Sequence, residues 1–399
     1  MSDRRTHRRL TLQMMPGARG LLDRPRSGAL RKGIVLSFAP PERLAQNHLR
    51  SEERQSPTPL PCASLRDVSA HQSSLYPLQF EPVLKRYPWG GRMIGRVLGR
   101  SIPTGPVAES WEISAHPDGS TPVANGRFAG LGLDRLTSEL GESLLGTRNR
   151  DSLRRRRFPL LIKILDAREW LSVQVHPSDT HALGRHGDLG KTEMWVVLAA
   201  EPGAEVLLGF RRGVDADSFA GAIHSGSATD MLQRVPARVG DVFFVPPGTA
   251  HAIGPGLLLV EIQQSSNITY RVFDWNRRPA RPLHVDDAFE VLNFDAVDLA
   301  PARPEELSTQ PRTERLATCS MFETLRLSLE AGEEIDGELG GASFEIWGSL
   351  AGSTILESGT GSATLDAVSW ALLPATIGRF RLRAVQPSTV LRISTPGTG

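Results

Sequence analysis
In LSVQVHPSDT, residues 171–180, Gln174 and His176 stand two apart in an alternating run that stops at Pro177. Residues i and i+2 of a strand share a face, so the amide and the imidazole point together while Val173 and Val175 point to the other side. Alone, such a pair is a solvent-facing strand end. Two later segments supply partners. GKTEMWVVL (190–198) carries Glu193 at the entry of an apolar strand, and VPPGTAHAIGPG (245–256) carries His251 just past a Pro-Pro-Gly turn. A glutamine, two histidines and a glutamate on adjacent strands make a mixed nitrogen and oxygen donor set. Such a set suits Zn²⁺, and also Mn²⁺, Fe²⁺ or Ni²⁺. With only two His and one Glu as strong donors, one or two positions stay open for substrate or water, the pattern of a catalytic metal.

A fourth stretch, LLLVEIQQSSNITYRVFDWNR (257–277), begins as a buried apolar run and then places Glu261, Gln263, Ser265 and Asn267 at alternate positions. A strand that turns polar on one face fits a sandwich interior opening into a pocket. Arg271 follows; pairing with Asp274 is its surface alternative, but the polar concentration favours the pocket. The other histidines have weaker contexts. His181 and His186 lie in HPSDTHALGRHGDLG, which reads as a Gly-rich polar loop, solvent-exposed or part of a lid. His224 and His284 sit in helix-like or polar surroundings without a strand partner, and His116 is expected to end a strand at a turn. The run Arg154–Arg157 reads as a solvated edge or loop, because four adjacent arginines cannot all face one pocket.

The elements that must hold these residues are mostly short strands. SWEISAHPDG (110–119), FPLLIKILDA (158–167), WLSVQVHP (170–177), TEMWVVLAA (192–200), AEVLLGF (204–210), GDVFFVPPGT (240–249) and LLLVEIQQSS (257–266) all suit strands between Gly/Pro turns. Leu133, Leu136, Leu140 and Leu144 recur at helical spacing, and a shorter helix is expected over 218–226. Towards the C-terminus FETLRLSLEAG (322–332) alternates and ASFEIWGSLAGSTILESG (342–359) reads as a hairpin. VSWALLPAT (368–376) aligns with DVFFVPPGT (241–249) at a constant offset, which puts Gly378 where the first copy has His251. The expected fold is therefore mainly β: two related β-domains, each a sandwich or barrel, with a few short helices.

Charge divides the chain differently. Residues 1–75 carry 13 Lys+Arg against 6 Asp+Glu, the remainder 33 against 38. The first part, rich in Arg, Ser and Pro without periodicity, reads as a disordered basic tail. Its functional reading is a targeting or anion-binding segment; the favoured one is a flexible extension, or a start codon placed too far upstream. No apolar core follows the first arginines as a secretory signal would need. A net charge of +2 argues against a general nucleic-acid binder, and no apolar run reaches membrane-span length. With Cys62 and Cys319 the only cysteines, a disulfide framework and a Cys-based zinc site are excluded and a reducing, cytoplasmic setting is the default.

LSVQVHPSD, GKTEMWVVL, VPPGTAHAIGPG and VEIQQSSNITYRVFDW, in this order, resemble the type I mannose-6-phosphate isomerases of the cupin superfamily. YPWGGR (87–92) and ESWEISAHPDG (109–119) extend the resemblance, which runs from about Tyr76 to the C-terminus and is greatest to the shorter bacterial forms; residues 1–75 match nothing in it. The resemblance makes the two β-domains cupin or jelly-roll-like, and implies a metal-binding cupin catalytic domain over 76–312 and a metal-free cupin-like domain over 313–399. It implies one zinc ion per chain on Gln174, His176, Glu193 and His251. It further implies Arg271 as the active-site arginine, Lys191 as the strand lysine, Glu261 as the proton carrier and Ser172 as a phosphate contact. The implied reaction interconverts mannose 6-phosphate and fructose 6-phosphate through a cis-enediol(ate). The partner is then a sugar phosphate, with no nucleic acid or membrane, in a monomer or weak homo-oligomer. An Fe²⁺ oxygenase on the same donors, or a silent sugar-phosphate sensor, are the alternatives; the oxygenase leaves Ser172, Lys191 and Arg271 without a task.

Overall fold
The computed structural model describes residues 75–295 and 301–396. The predicted tail lies outside the described residues except for Leu75, and Cys62 lies outside with it.

The first part of the chain contributes β1 (Val83–Lys85), β2 (Glu109–Ile113), the small hairpin β3 (Ala115–His116) and β4 (Gly119–Ser120), β5 (Leu160–Ala167), β6 (Val173–Val175), β7 (Glu193–Ala200), β8 (Glu205–Phe210), β9 (Leu232–Pro236), β10 (Val242–Val245), β11 (His251–Ile253), β12 (Leu257–Gln264) and β13 (Tyr270–Phe273). A six-stranded sheet runs β1-β2-β5-β12-β7-β10 and a five-stranded sheet β13-β6-β11-β8-β9. Leu165, Trp195, Val197, Phe243 and Leu259 of the first meet Val206, Leu208 and Ile253 of the second in one buried cluster, so the sheets close as a sandwich.

The later part repeats this plan. β14 (Glu305–Leu307), β15 (Arg312–Thr318), β16 (Glu323–Leu329), β17 (Glu334–Leu339), β18 (Glu345–Ala351), β19 (Thr354–Ser358), β20 (Gly361–Leu365), β21 (Ser369–Leu373), β22 (Gly378–Ala384) and β23 (Ser388–Ser394) form sheets ordered β14-β15-β16-β23-β18-β21 and β17-β22-β19-β20. Strand for strand, the order matches the first part once β3, β4 and β13 are set aside. The segments aligned by sequence, β10 and β21, are both the last edge strand of a six-stranded sheet, and His251 and Gly378 both open the strand that follows.

The two large sheets share one apolar cluster. Ile162, Ile164, Met194, Val260 and Ile262 lie in it with Leu316, Ile346, Trp370, Leu372 and Ile393. The predicted leucine helix also joins this cluster, but as α2 (Leu133–Leu140) and α3 (Glu142–Leu145), following α1 (Met93–Arg96). The break falls at Gly141, whose φ of +47° suits glycine. The remaining helices are α4 (Arg150–Arg155), α5 (Asp179–His186), α6 (Ala216–Ser225) and α7 (Val285–Phe289). The helix predicted at 218–226 is α6.

Several expectations need correction. Residues 342–359 are no hairpin: β18 and β19 lie in different sheets. β18 is buried on both faces and flanked by β21 and β23, leaving no free edge for β19. HPSDTHALGRHGDLG is no loop, because residues 179–186 form α5, closed by Gly187 in the left-handed conformation. The Arg154–Arg157 run is split: Arg154 and Arg155 end α4, whereas half-buried Arg157 binds Asp188 and the Ser265 carbonyl. His116 does close β3 at a turn, where its Nδ1 accepts the Asp118 N–H (3.1 Å).

Candidate metal centre and active site
Period-two alternation builds the site. Val173 and Val175 are fully buried against the outer helices, which turns Ser172, Gln174 and His176 into the sandwich. Register then places Gln174 opposite His251 on one side and opposite Arg271 on the other. Glu193 does not come from an adjacent strand of this sheet, as the sequence led us to expect. It reaches across from β7 of the facing sheet, where it pairs with Gln263. Two layers of one sandwich thus supply the donors.

The donor atoms converge. One ligand atom each from His176, Glu193 and His251 lie within 4.8 Å of one another. His176 Nε2 is 3.6 Å and His251 Nε2 3.4 Å from the Glu193 carboxylate. The Gln174 amide nitrogen lies 3.5 Å and 3.3 Å from the two Nε2 atoms, while its oxygen accepts from Ser172 Oγ at 3.0 Å. A ligand role requires the amide turned over, with its nitrogen on the serine side. Each histidine donates through Nδ1 to a carbonyl, His176 to Ile268 (2.8 Å) and His251 to Thr249 (2.9 Å). This fixes the tautomer that leaves an Nε2 lone pair facing the site. Burial lowers the pKa of His251 to about 4 and of His176 well below its ordinary value, so both are neutral near pH 7. Glu193 Oε1 is buried and has no hydrogen-bond donor. Two neutral imidazoles and an unsatisfied carboxylate oxygen fit a divalent cation.

Buried charge surrounds this set. The Lys191 ammonium contacts Glu193 and lies 3.1 Å from His176 Nε2 and 3.3 Å from Glu261 Oε1. Lys163 sits between Glu109 (3.5 Å) and Glu261 (3.4 Å), with Trp111 beneath it. Burial alone would raise Glu261, but Lys191 and Lys163 hold it far below the usual carboxylate range. Burial pushes Glu193 up. Burial would also depress Lys163, yet Glu109, Glu261 and Glu193 keep it above its ordinary value.

Glu109, Lys163, Gln174, Lys191, Glu193 and Glu261 line a cavity of about 300 Å³, together with Tyr87, Trp89, Asn267, Arg271 and Arg281. Arg271 Nε donates to Ser172 Oγ (3.3 Å) and its Nη1 to the Pro282 carbonyl (2.8 Å). Asp274 is taken instead by Arg277 and Arg281. All eight residues singled out from the sequence therefore stand at or against one pocket. Sequence reasoning missed Lys163, Glu109 and Arg281. For Lys163 a signal existed: a lone lysine inside FPLLIKIL, where every neighbour is buried. His186 is exposed, as expected, whereas His181 is half-buried. Both contact the Tyr270 hydroxyl, at 3.2 and 2.7 Å. His284 does have a strand partner, since its Nδ1 accepts the Arg271 N–H (3.3 Å) and its own N–H donates to the Arg271 carbonyl (2.7 Å).

A buried His-Glu-His donor set that could hold a metal ion, flanked by lysines and arginines beside a pocket inside a double-sheet sandwich, defines a candidate metal-assisted site on a β scaffold. Comparison with known proteins narrows the class. Residues 77–191 match the family of the phosphomannose isomerase type I catalytic domain. The chain is 40% identical over 253 residues to a mannose-6-phosphate isomerase of Streptococcus mutans, covering 62% of this chain and 77% of that one. It is 34% identical over 311 residues to mannose-6-phosphate isomerase ManA of Bacillus subtilis, covering 77% and 95%. Its fold superposes on a crystal structure of the mannose 6-phosphate isomerase from Bacillus subtilis with a TM-score of 0.71 at 30% identity, over 80% of this chain and 99% of the other. The chain belongs to the type I mannose-6-phosphate isomerase family.

Proposed function
We propose that the chain is an aldose–ketose isomerase that interconverts mannose 6-phosphate and fructose 6-phosphate. The observation that carries this reading is the convergence of His176 and His251 on Glu193, which lines one cavity with Lys191, Glu261 and Arg271 in a member of this family. Its volume is in the range of small-ligand pockets. We assign one zinc ion to Gln174, His176, Glu193 and His251; bound there, it would supply Lewis-acid stabilisation of the negative charge that develops on the substrate oxygens.

The residues of the chain do the rest. Isomerisation moves a proton between C2 and C1 by way of a cis-enediol(ate), so a group must take it from one carbon and return it to the next. Glu261 is our candidate base. Lysines on both sides make it a weak one, and Lys191 Nζ at 3.3 Å is the adjacent proton donor. We therefore assign the transfer to the two as a pair. Arg271 and Arg281, with Ser172 Oγ beside Arg271, offer a cationic, donor-rich wall for the phosphate. Trp89 and Tyr87, stacked with ring centroids 5.7 Å apart, add an aromatic part to the lining. We read the first pair of sheets as the catalytic cupin domain and the second as its metal-free counterpart, with β14 already part of the latter's sheet. No helix among the described residues is long and apolar enough to cross a membrane; with two cysteines in 399 residues, we expect a cytoplasmic enzyme.

The direct test is incubation of the full chain with mannose 6-phosphate and detection of fructose 6-phosphate by a coupled assay. Formation of fructose 6-phosphate, but no comparable turnover of unphosphorylated mannose, is expected. Equal turnover of both sugars would remove the phosphate wall from the account.

A further inference from the structure
α5 joins two halves of the site: His176 lies just before it and Lys191 just after it. The base of this excursion is closed by a single carboxylate. Asp179 Oδ1 accepts the Gly190 N–H at 2.7 Å and the Gln264 side-chain N–H at 2.9 Å. The same Gln264 accepts the Thr192 N–H through Oε1 at 2.9 Å, and its backbone N–H donates to the Thr192 carbonyl at 3.1 Å. Between them the Lys191 N–H donates to the Pro177 carbonyl at 3.0 Å. Gly190 is buried and approaches so closely that a Cβ there would overlap the Asp179 nitrogen and the Ser178 carbonyl carbon.

We propose that Asp179, acting through Gly190 and Gln264, is the positioning residue that fixes the Lys191 ammonium against Glu261 and His176. The proposal rests on the isomerase reading for its kinetic consequence but on geometry alone for its structural one. The clamp ties together the ends of the three strands that bear the reacting groups: β6 with His176, β7 entered through Lys191, and β12 with Glu261. Asp179 itself does not line the cavity. A lysine side chain is long and flexible, so its ammonium is only as well placed as the backbone from which it springs. Every backbone N–H from Gly190 to Thr192 is used to hold that stretch. What the clamp requires of residue 179 is an acceptor at the Oδ1 position, not a charge.

That requirement separates positioning from general stability. In the full-length chain loaded with Zn²⁺, Asp179→Ala should lower kcat roughly 10- to 100-fold, the scale of an ångström-sized misplacement. KM for mannose 6-phosphate and bound zinc should change by less than about 2-fold, because Arg271 and the four donors are untouched. Amide exchange at Gly190, Lys191 and Thr192 should accelerate. Asp179→Asn keeps an acceptor oxygen and should recover most of both properties. Asp179→Glu keeps the charge but displaces the acceptor by one methylene, so it should fail like Ala; it decides the matter if Asp179→Ala does not fold. Unchanged kcat and exchange in the Ala or Glu variant would overturn the proposal, as would an Asn variant as defective as Ala. Absence of isomerase turnover in the wild type would sink the isomerase reading instead, leaving the exchange measurement to judge the clamp.

Discussion

At the scale of single residues, the same fold turns neighbouring carboxylates and imidazoles to different uses. Glu193 and Glu261 face one cavity, but Glu261 is flanked by two lysines and Glu193 presents an oxygen with no donor. Histidines 176 and 251 are each aimed by a carbonyl on the far side of the ring. His251→Ala should therefore lose bound metal and activity together, measured by metal analysis of the purified protein. Arg271→Ala should retain metal and lose turnover; normal turnover in that variant would mean the arginine is misassigned. The convergence of Gln174, His176, Glu193 and His251 was legible in the sequence because strand alternation and two turn motifs limit where their side chains can point. The opposing origin of Glu193 was not legible, since alternation gives a face but not which sheet lies across from it. Lys163 escaped because a single charge in an apolar strand is noticed only when its partners, Glu109 and Glu261, are known to be near.

At the scale of elements, the site depends on short pieces held by buried polar contacts. β5 carries Asp166 back to back with the pocket-facing Lys163 and Leu165, and its Oδ2 accepts the Ile94 N–H (2.9 Å) at the start of α1. A Cβ on Gly91 would collide with this carboxylate, so glycine is needed for the approach. Burial pushes the Asp166 pKa up to about 6 from 3.8, against the bonds from Ile94 and Met93. The folded chain thus holds this proton more tightly than the unfolded chain. Its stabilising effect is complete below about pH 4 and is lost as pH rises through 6, a difference of about 3 kcal/mol. Urea midpoints measured from pH 4 to pH 7 should show the decline, and Asp166→Asn should flatten it; an unaltered slope in the variant would contradict the assignment. The α5 error has a local cause. Gly184, Gly187 and Gly190 make the stretch look like loop, whereas the helix is held by tertiary contacts of His181 and His186 to Tyr270 that no local pattern shows. The false hairpin at 342–359 has the converse cause: β18 and β19 are each good strands, and only the sheet order reveals that β18 has both edges taken.

At the scale of the whole molecule, one strand plan is used twice, and only the first use keeps histidine where the second has Gly378. The large sheets share their apolar cluster, with Phe158 of the first part packed at a tilt against Phe344 of the second, ring centroids 4.7 Å apart. Phe344→Ala should cost roughly 3–5 kcal/mol and lower the melting of both parts in one transition. Two separated transitions would show that the parts unfold independently. Removal of residues 1–74 should leave turnover unchanged, because every group assigned to the pocket lies within the described residues; a large loss would place the removed segment in the site. The measurement that tests the central claim most directly is mannose 6-phosphate turnover by chelator-stripped full-length protein, titrated with Zn²⁺. The account predicts no turnover in the stripped protein and full recovery at one zinc per chain, with no recovery in His251→Ala. Full activity in protein shown to be free of metal would contradict it.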